Sequence, residues 1–511
     1  GRARTTTDCK DDGGEASDMA GARKATFIAL VAAEVVAQYV RISFAKDFLG
    51  ALAMVCWVMA LGPSDRTSRR ISLALIAVGS YLFVVTGASW RQARPSFCEN
   101  TNVLMVMVLI PLLGVVVDLG GYADALSVVS GEVTKPLTLY VLSMVLAYAI
   151  GSVLLNASIA LIWVVLYPVA ARTRDDPQWF LVKCLPRGYD ASLLWTPASP
   201  STAVALGVTG AVWGKIAGPG LAMSLAMLAI AVLLEVGYLR RPPKGANAPA
   251  SATACEGPVQ TTSGSLGTAA QGREARAAGS PVLCEMSADP RSPSDQERRA
   301  AVLKVMALGA GVLSFIVSIV TLESFGVTIY QAVLPCVLAT TLTWGALIRR
   351  GPETVAGLAR RLSSSVPGMS NQFLLMTTAG FIGTSVKMAT AKGLGAYLSG
   401  IASNPTLFAL LVSSAVVVLS VLGIHPQLGM VIVYSIVSSA AGRDPPEFAA
   451  LALMLGAALG YNVSPVSATM LVTSSCAKTN TIGVGVKRHW KHALVVLPIG
   501  SLILQALVRA Q

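Results

Sequence analysis

Trp195-Thr196-Pro197-Ala198-Ser199-Pro200-Ser201-Thr202-Ala203-Val204-Ala205-Leu206 sets a small polar cluster and a proline inside an apolar region. Tyr461-Asn462-Val463-Ser464-Pro465-Val466-Ser467-Ala468-Thr469-Met470-Leu471 is its counterpart. Both read Ser-Pro-x-(Ser or Thr)-Ala-x-x-Leu, anchored at Ser199 and Ser464. Proline removes an amide donor and breaks a helix at the preceding turn. In lipid the freed carbonyls need partners, so irregular backbone survives only where protein covers it or a water-filled cavity receives it. Hydroxyl-lined breaks at matching places in two halves point to a solute site near the bilayer midplane. Two unrelated Ser/Pro loops at membrane edges are the plain alternative.

The surroundings are built for lipid. Of 511 residues 54% are hydrophobic and 13% charged, with a mean hydropathy of +0.65, whereas soluble domains average about 25% charged. Many apolar runs approach the roughly 20 residues that cross a bilayer, so the chain reads as an all-α polytopic membrane protein in the plasma (cell inner) membrane. The net charge of +13 does not mark a nucleic-acid binder. Its Lys and Arg sit in short clusters between apolar runs, at Arg66 to Arg70, Arg91 to Arg94, Arg240 to Lys244 and Lys487 to Lys491, as topology-setting charge does. Eight scattered cysteines with no CxxC pair suggest neither a disulfide framework nor a zinc site.

A polar tail, residues 1–24, leads into the first span, and no cleavable signal is read in it. Apolar runs at about 26–42, 47–62, 71–88 and 103–119 read as membrane helices. Glu34, inside the first, is read as a helix-packing or interfacial carboxylate. Pro136 to Ala171 is too long for one crossing of about 30 Å of hydrocarbon. Gly151-Ser152 and Asn156-Ala157-Ser158 lie at its centre, so it reads as a hairpin with a mid-membrane tip. Its apolar setting argues against glycosylation at Asn156. A basic loop, Arg172 to Arg187, then leads through Leu193 and Leu194 to the first motif, and a helix at about 219–239 closes the first lobe, 25–239.

Residues 240–300 are rich in Ala, Pro, Ser, Gly and charge and read as a disordered cytoplasmic linker. The second lobe, 301–511, has runs at about 301–321, 325–347 and 370–386, with an amphipathic stretch from Thr354 to Leu362. A second overlong segment, Thr406 to about Ala440, is broken at Gly423-Ile424-His425-Pro426-Gln427. A return helix, Glu447 to Gly460, enters the second motif, and a run at about 491–508 closes the lobe. Hairpin break to motif spans 43 positions in one lobe and 39 in the other. The basic flank follows the first closing helix but precedes the second, so by the positive-inside rule the two run in opposite senses, as inverted-topology repeats require.

Four irregular points would then converge: Asn156/Ser158, Thr196/Ser199/Ser201/Thr202, the His425/Gln427 break, and Asn462/Ser464/Ser467/Thr469. Their amides, hydroxyls and carbonyls suit a small anionic solute at half-helix N-termini. Asn156, Ser199, Asn462 and Ser464 suit a coupling sodium ion. No Asp or Glu lies within either motif or hairpin break, which counts against a carboxylate proton relay. His425 reads equally as a substrate or proton carrier and as a neutral histidine bonded to broken backbone. Lys478, downstream of Thr473-Ser474-Ser475, reads as an anion contact or as snorkelling to the interface.

Paired hairpins with paired Ser/Asn/Thr/Pro breaks resemble the ion transporter superfamily, especially divalent-anion:sodium symporters and citrate-type permeases. The resemblance covers about 100–511 apart from the linker. It implies a homodimer whose transport domain moves against a scaffold as an elevator. That family carries Ser-Asn-Thr at its hairpin tips. Asn156-Ala157-Ser158 matches this loosely, and Ile424-His425-Pro426 departs from it. The reading is therefore a sodium-coupled symporter of a di- or tricarboxylate, with no cofactor. Its rival is a proton-coupled cation antiporter or inorganic-oxyanion exporter of the same architecture, and a channel is a further one. The sequence has no HExxH, no paired intramembrane aspartates and no Walker motif, so neither an enzyme nor an ATP-driven pump is expected.

Overall fold

Proline sets the helix starts on which this molecule is built. At the first helical position it sacrifices no hydrogen bond and presets φ. Pro136, Pro177 and Pro200 open helices in the first half, as Pro405 and Pro446 do in the second. The computed structural model of the chain describes residues 12–40, 45–131, 133–240, 294–390, 404–441 and 445–509, and every regular element among them is helical. Eight of the described helices are long and apolar enough to cross a membrane.

The chain begins with α1 (Asp12–Tyr39), α2 (Ala45–Leu61), α3 (Arg66–Val85), α4 (Trp90–Leu119, with two 3-10 stretches) and α5 (Tyr122–Ser130). Helix α1 starts inside the stretch expected as a polar tail, where Ala, Glu, Met and Lys favour helix. Next come α6 (Pro136–Leu154), α7 (Ala157–Thr173), α8 (Pro177–Ser192), α9 (Pro200–Thr209) and α10 (Trp213–Leu239). The expected linker falls mostly on 241–293, outside the described residues. The second half has α11 (Asp295–Ser324), α12 (Ile329–Leu347), α13 (Gly351–Ser365), α14 (Ser370–Thr390), α15 (Pro405–Val421) and α16 (Pro426–Ala441). It ends with α17 (Pro446–Val463), α18 (Ala468–Cys476), the short α19 (Thr481–Val484) and α20 (Val486–Arg509).

Arg172 to Arg187, read as a basic loop, is largely the buried helix α8. Its charges are paired rather than solvated: Arg187, 2% exposed, donates to Glu235 of α10 at 3.0 Å, and Lys183 reaches the other Glu235 oxygen at 2.8 Å. Arg187 also donates to the Tyr140 hydroxyl (3.1 Å), His489 Nδ1 (3.3 Å) and the Arg488 carbonyl (3.2 Å). His489, within the basic cluster Lys487 to Lys491, is accordingly buried.

The two overlong segments are hairpins, α6–α7 and α15–α16. Their tips turn through backbone that an ordinary residue resists: Leu155 has φ 54° and Gly423 φ 92°. In both halves the first limb lies tightly on the return helix. A Cβ on Gly188 of α8 would meet the Met144 carbonyl of α6 at 2.2 Å, and one on Gly456 of α17 would meet the Ser413 carbonyl of α15 at 2.7 Å. Small residues at such crossings let membrane helices approach closely.

The halves exchange their broken segments. Helix α9 lies against α16 and α17, while α18 lies against α7 and α8. The return helices begin at opposite ends of α10: Lys183 and Arg187 of α8 meet Glu235 near its C-terminus, whereas Glu447, which opens α17, meets Lys215 near its N-terminus at 3.6 Å. Arg187 touches both the end of α10 and the start of α20, so the closing helices run in opposite senses. Around this core stands a frame drawn from both halves, α1–α5 with α11–α14. Phe27 stacks on Phe373 at 4.1 Å, and Trp57 Nε1 bridges Ser72 and Thr378. Glu34 sits inside the frame, with one oxygen accepting from Thr101 (2.5 Å) and the other from Gln38 (2.6 Å).

Candidate functional site

The two serine–proline motifs fold by the same local rule. Ser199, in extended conformation, caps α9 by accepting from the Ser201 amide at 3.1 Å, and Ser464 Oγ accepts from the Val466 amide at 3.3 Å. The hydroxyl three positions on then reaches back six residues. Thr202 Oγ1 donates to the Thr196 carbonyl at 2.9 Å, and Ser467 Oγ to the Tyr461 carbonyl at 2.7 Å. Ser199 is the N-cap of α9, whereas Ser464 is the C-cap of α17 and Ser467 itself caps α18, accepting from the Met470 amide at 3.2 Å. In both breaks a back-bonding hydroxyl satisfies backbone that proline frees. Thr196 Oγ1 donates to the Ser152 carbonyl at 3.0 Å, tying the first break to the end of α6, and Trp213 Nε1 donates to the Trp195 carbonyl at 2.9 Å. Ser158 Oγ closes the first hairpin tip on the Leu155 carbonyl at 2.7 Å.

With those hydroxyls engaged, another group stands between the breaks. Thr469, in the first turn of α18, places its hydroxyl 3.0 Å from Asp190 Oδ1 and 3.2 Å from Asn156 Oδ1. The first tip, the first return helix and the second broken helix therefore meet at one hydroxyl. Asp190 is fully buried, and its Oδ2 has no hydrogen-bond partner in the structure. No Lys or Arg among the described residues forms an ion pair with it. The three oxygens of Thr469, Asn156 and Asp190 have one hydroxyl hydrogen among them. A buried carboxyl so placed needs a cation or a proton to complete it.

The second tip joins this cluster through an aromatic ring. Tyr461 lies beside Ser201 and Asp190, and its ring meets the His425 imidazole edge-on at 5.6 Å and 89°. His425 lines a narrow cleft with Thr67, Ser68, Gly423 and Val466, between the tip and the start of α3. His425 Nδ1, Gln427 Nε2 and Asn462 Oδ1 are buried without a hydrogen-bond partner. Asn462 Nδ2 returns to the Ala458 carbonyl at 3.3 Å.

Of the residues predicted from sequence, Asn156 and Thr469 meet directly at Asp190. Ser201 lies beside Tyr461, and Asn462, His425 and Gln427 bring unpartnered atoms. Thr196, Ser199, Thr202, Ser464, Ser467 and Ser158 hold the breaks and the tip. Lys478 is exposed just beyond α18. No Asp or Glu lies within either motif or hairpin break, but Asp190, on the helix taken largely for a loop, stands against Thr469 at their edge. A signal was present: Pro177 at a helix start, with Phe180, Leu181, Cys184, Leu185 and Gly188 at helical spacing, runs straight to Asp190.

The fold and its composition define an integral membrane protein with two broken helices, the second of which meets a buried carboxyl. Among solved structures the chain is similar to the Alcanivorax borkumensis YdaH transporter, with 14% identity and a TM-score of 0.44 over 80% of this chain and 85% of that one. It is also similar to Neisseria gonorrhoeae MtrF, described within a class of antimetabolite efflux pumps, with 15% identity and a TM-score of 0.47 over 80% and 82%. Neither is described as a divalent-anion:sodium symporter. The likeness concerns helix arrangement alone. No protein-family model matches the chain, and no curated protein does.

Proposed function

We propose that this chain is a secondary active transporter in which a cation taken up at Asp190 drives a small organic anion across the membrane. The observation that carries the proposal is Asp190 itself, buried between the first hairpin tip and the second broken helix with one oxygen unpartnered. A site there connects the two halves, so loading it acts on their relative position. Sodium fits the oxygen set of Asp190, Asn156 and Thr469. The N-terminal ends of α9 and α18 carry partial positive charge suited to a carboxylate solute. A proton on Asp190 is the second reading, favoured by the single hydrogen shared among three oxygens.

Return helices that begin at opposite ends of α10 support inverted repeats. On this reading the α6–α10 and α15–α20 core slides as an elevator against the frame of α1–α5 and α11–α14, and the frame holds a homodimer together in the cell's inner membrane. The test is uptake of labelled succinate, citrate and sulfate into proteoliposomes under sodium, potassium and proton gradients, with Asp190→Asn and Thr469→Val alongside. Accumulation under one cation gradient, abolished in Asp190→Asn and weakened in Thr469→Val, is expected, and the gradient that works identifies the ion. In the same vesicles, a cysteine pair at Asn102 of the frame and Gly207 of α9, neighbouring positions here, should arrest flux on oxidation if the core slides. Flux indifferent to every gradient and to Asp190 would sink the proposal.

A further inference from the structure

Where α10 ends and α20 begins, positive charge collects without an answering carboxylate. Helix α20 opens Val486-Lys487-Arg488-His489-Trp490-Lys491, with no acidic residue in its first turn. Cations are disfavoured at a helix N-terminus, whose dipole is itself positive. Lys487, Arg488, Lys491 and Arg240, which follows α10, have no ion-pair partner among the described residues. The nearby acids are engaged: Glu235 holds Lys183 and Arg187, and Asp176 accepts from the Tyr238 hydroxyl at 2.6 Å and lies near Arg174. The Arg488 guanidinium carbon lies over the Trp179 ring, 4.2 Å from its centroid, a contact that does not neutralise the charge.

The same helix carries an apolar stripe running away from these charges. Lys487, Trp490 and Lys491 are exposed at its head, with Lys491 Nζ 5.5 Å from the Trp490 ring. Leu494, Pro498, Ile499 and Leu502 continue the exposed face at helical spacing. Trp at the head of such a face marks headgroup depth, and the aliphatic residues below it lie where acyl chains run.

We infer that this face is a binding site for an anionic phospholipid, whose phosphate is held by Lys487, Lys491 and Arg488 and whose chains lie along Leu494, Ile499 and Leu502. A basic cluster at the cytoplasmic end of membrane helices is the kind of surface that anionic headgroups occupy. Charge that serves only to orient the chain would retain no lipid at this position. The inference does not depend on the transport reading and is tested without measuring transport.

The full-length protein is placed in phosphatidylcholine nanodiscs with a trace of fluorescent phosphatidylglycerol, and binding is read by energy transfer from a dye at α20. Retained lipid is counted by native mass spectrometry. Lys487→Gln/Lys491→Gln should bind phosphatidylglycerol roughly 20- to 30-fold more weakly, since each basic residue near the surface contributes about a fivefold factor. Arg66→Gln/Arg70→Gln removes the same charge at the exposed start of α3 and should change binding at α20 less than twofold. Both pairs are exposed, and an unchanged circular dichroism spectrum checks folding. Equal binding in wild type and the lysine variant overturns the inference. So does an equal loss in the arginine control, which would mean diffuse attraction. Displacement by millimolar inorganic phosphate would assign the cations to a free anion instead and also overturns it.

Discussion

Glu235→Gln removes the one negative charge that Arg187 and Lys183 share, at nearly constant shape. Arg187 Nη1 lies 3.0 Å from one Glu235 oxygen and Lys183 Nζ 2.8 Å from the other. A glutamine offers one acceptor and turns an amide donor toward the second cation. Arg187 keeps only neutral acceptors, the Tyr140 hydroxyl, His489 Nδ1 and the Arg488 carbonyl. Breaking a buried pair from one side costs about 3–5 kcal/mol, because a buried charge is left uncompensated. Arg187→Met added to Glu235→Gln removes that orphaned charge and should recover at least half of the loss. Unfolding midpoints of wild type, Glu235→Gln, Arg187→Met and the double variant in mixed micelles of rising denaturing-detergent fraction, followed by far-ultraviolet circular dichroism, give the four corners of the cycle. A Glu235→Gln protein within about 1 kcal/mol of wild type, or a double variant no better than the single one, would show that burial of unpaired charge is not what ties α8 to α10.

Two further outcomes follow from the packing and the breaks. Gly188→Ala and Gly456→Ala each drive a methyl group into a carbonyl of the hairpin limb, so each should lower stability by roughly 1–3 kcal/mol in the same assay, Gly188→Ala more, as its contact is the closer. Thr202→Val and Ser467→Ala each remove the hydroxyl that reaches back to the carbonyl six residues upstream. Each should cost about 1–3 kcal/mol through that buried acceptor, and amide exchange should rise at the break concerned and not at the other.

That each overlong segment breaks at its polar centre is legible in the chain because the signal is local, although Pro136–Leu154 is long enough to cross a membrane by itself rather than a half-length limb. An apolar run too long for one crossing turns at Asn156 or at Gly423 to Pro426, Ser199-Pro200 marks where α9 begins, and Ser467 marks where α18 begins. Helix α8 is not legible from charge density, because Lys183 and Arg187 look like surface residues until Glu235, 52 and 48 positions away, is brought beside them. Asp190 disappears with it. The engagement of Ser199, Thr202, Ser464 and Ser467 by nearby backbone is implicit in their spacing, but the same spacing also suits a ligand shell. Only the three-dimensional arrangement shows which oxygens are already occupied.

The exchange of broken helices between the halves bears on how the molecule is made. Asp190 and Thr469 are 279 residues apart, so the ribosome delivers the carboxyl to the bilayer long before the hydroxyl that receives it. Throughout that interval α9 lacks α16 and α17 to lie against, and the polar break before it is held by first-half contacts: its serine cap, its threonine brace, the Thr196 bond to Ser152 and the Trp213 bond to Trp195. The local hydrogen bonds of the first motif thus act as a provisional closure, holding a half-built site together in lipid until the C-terminal half arrives to complete it.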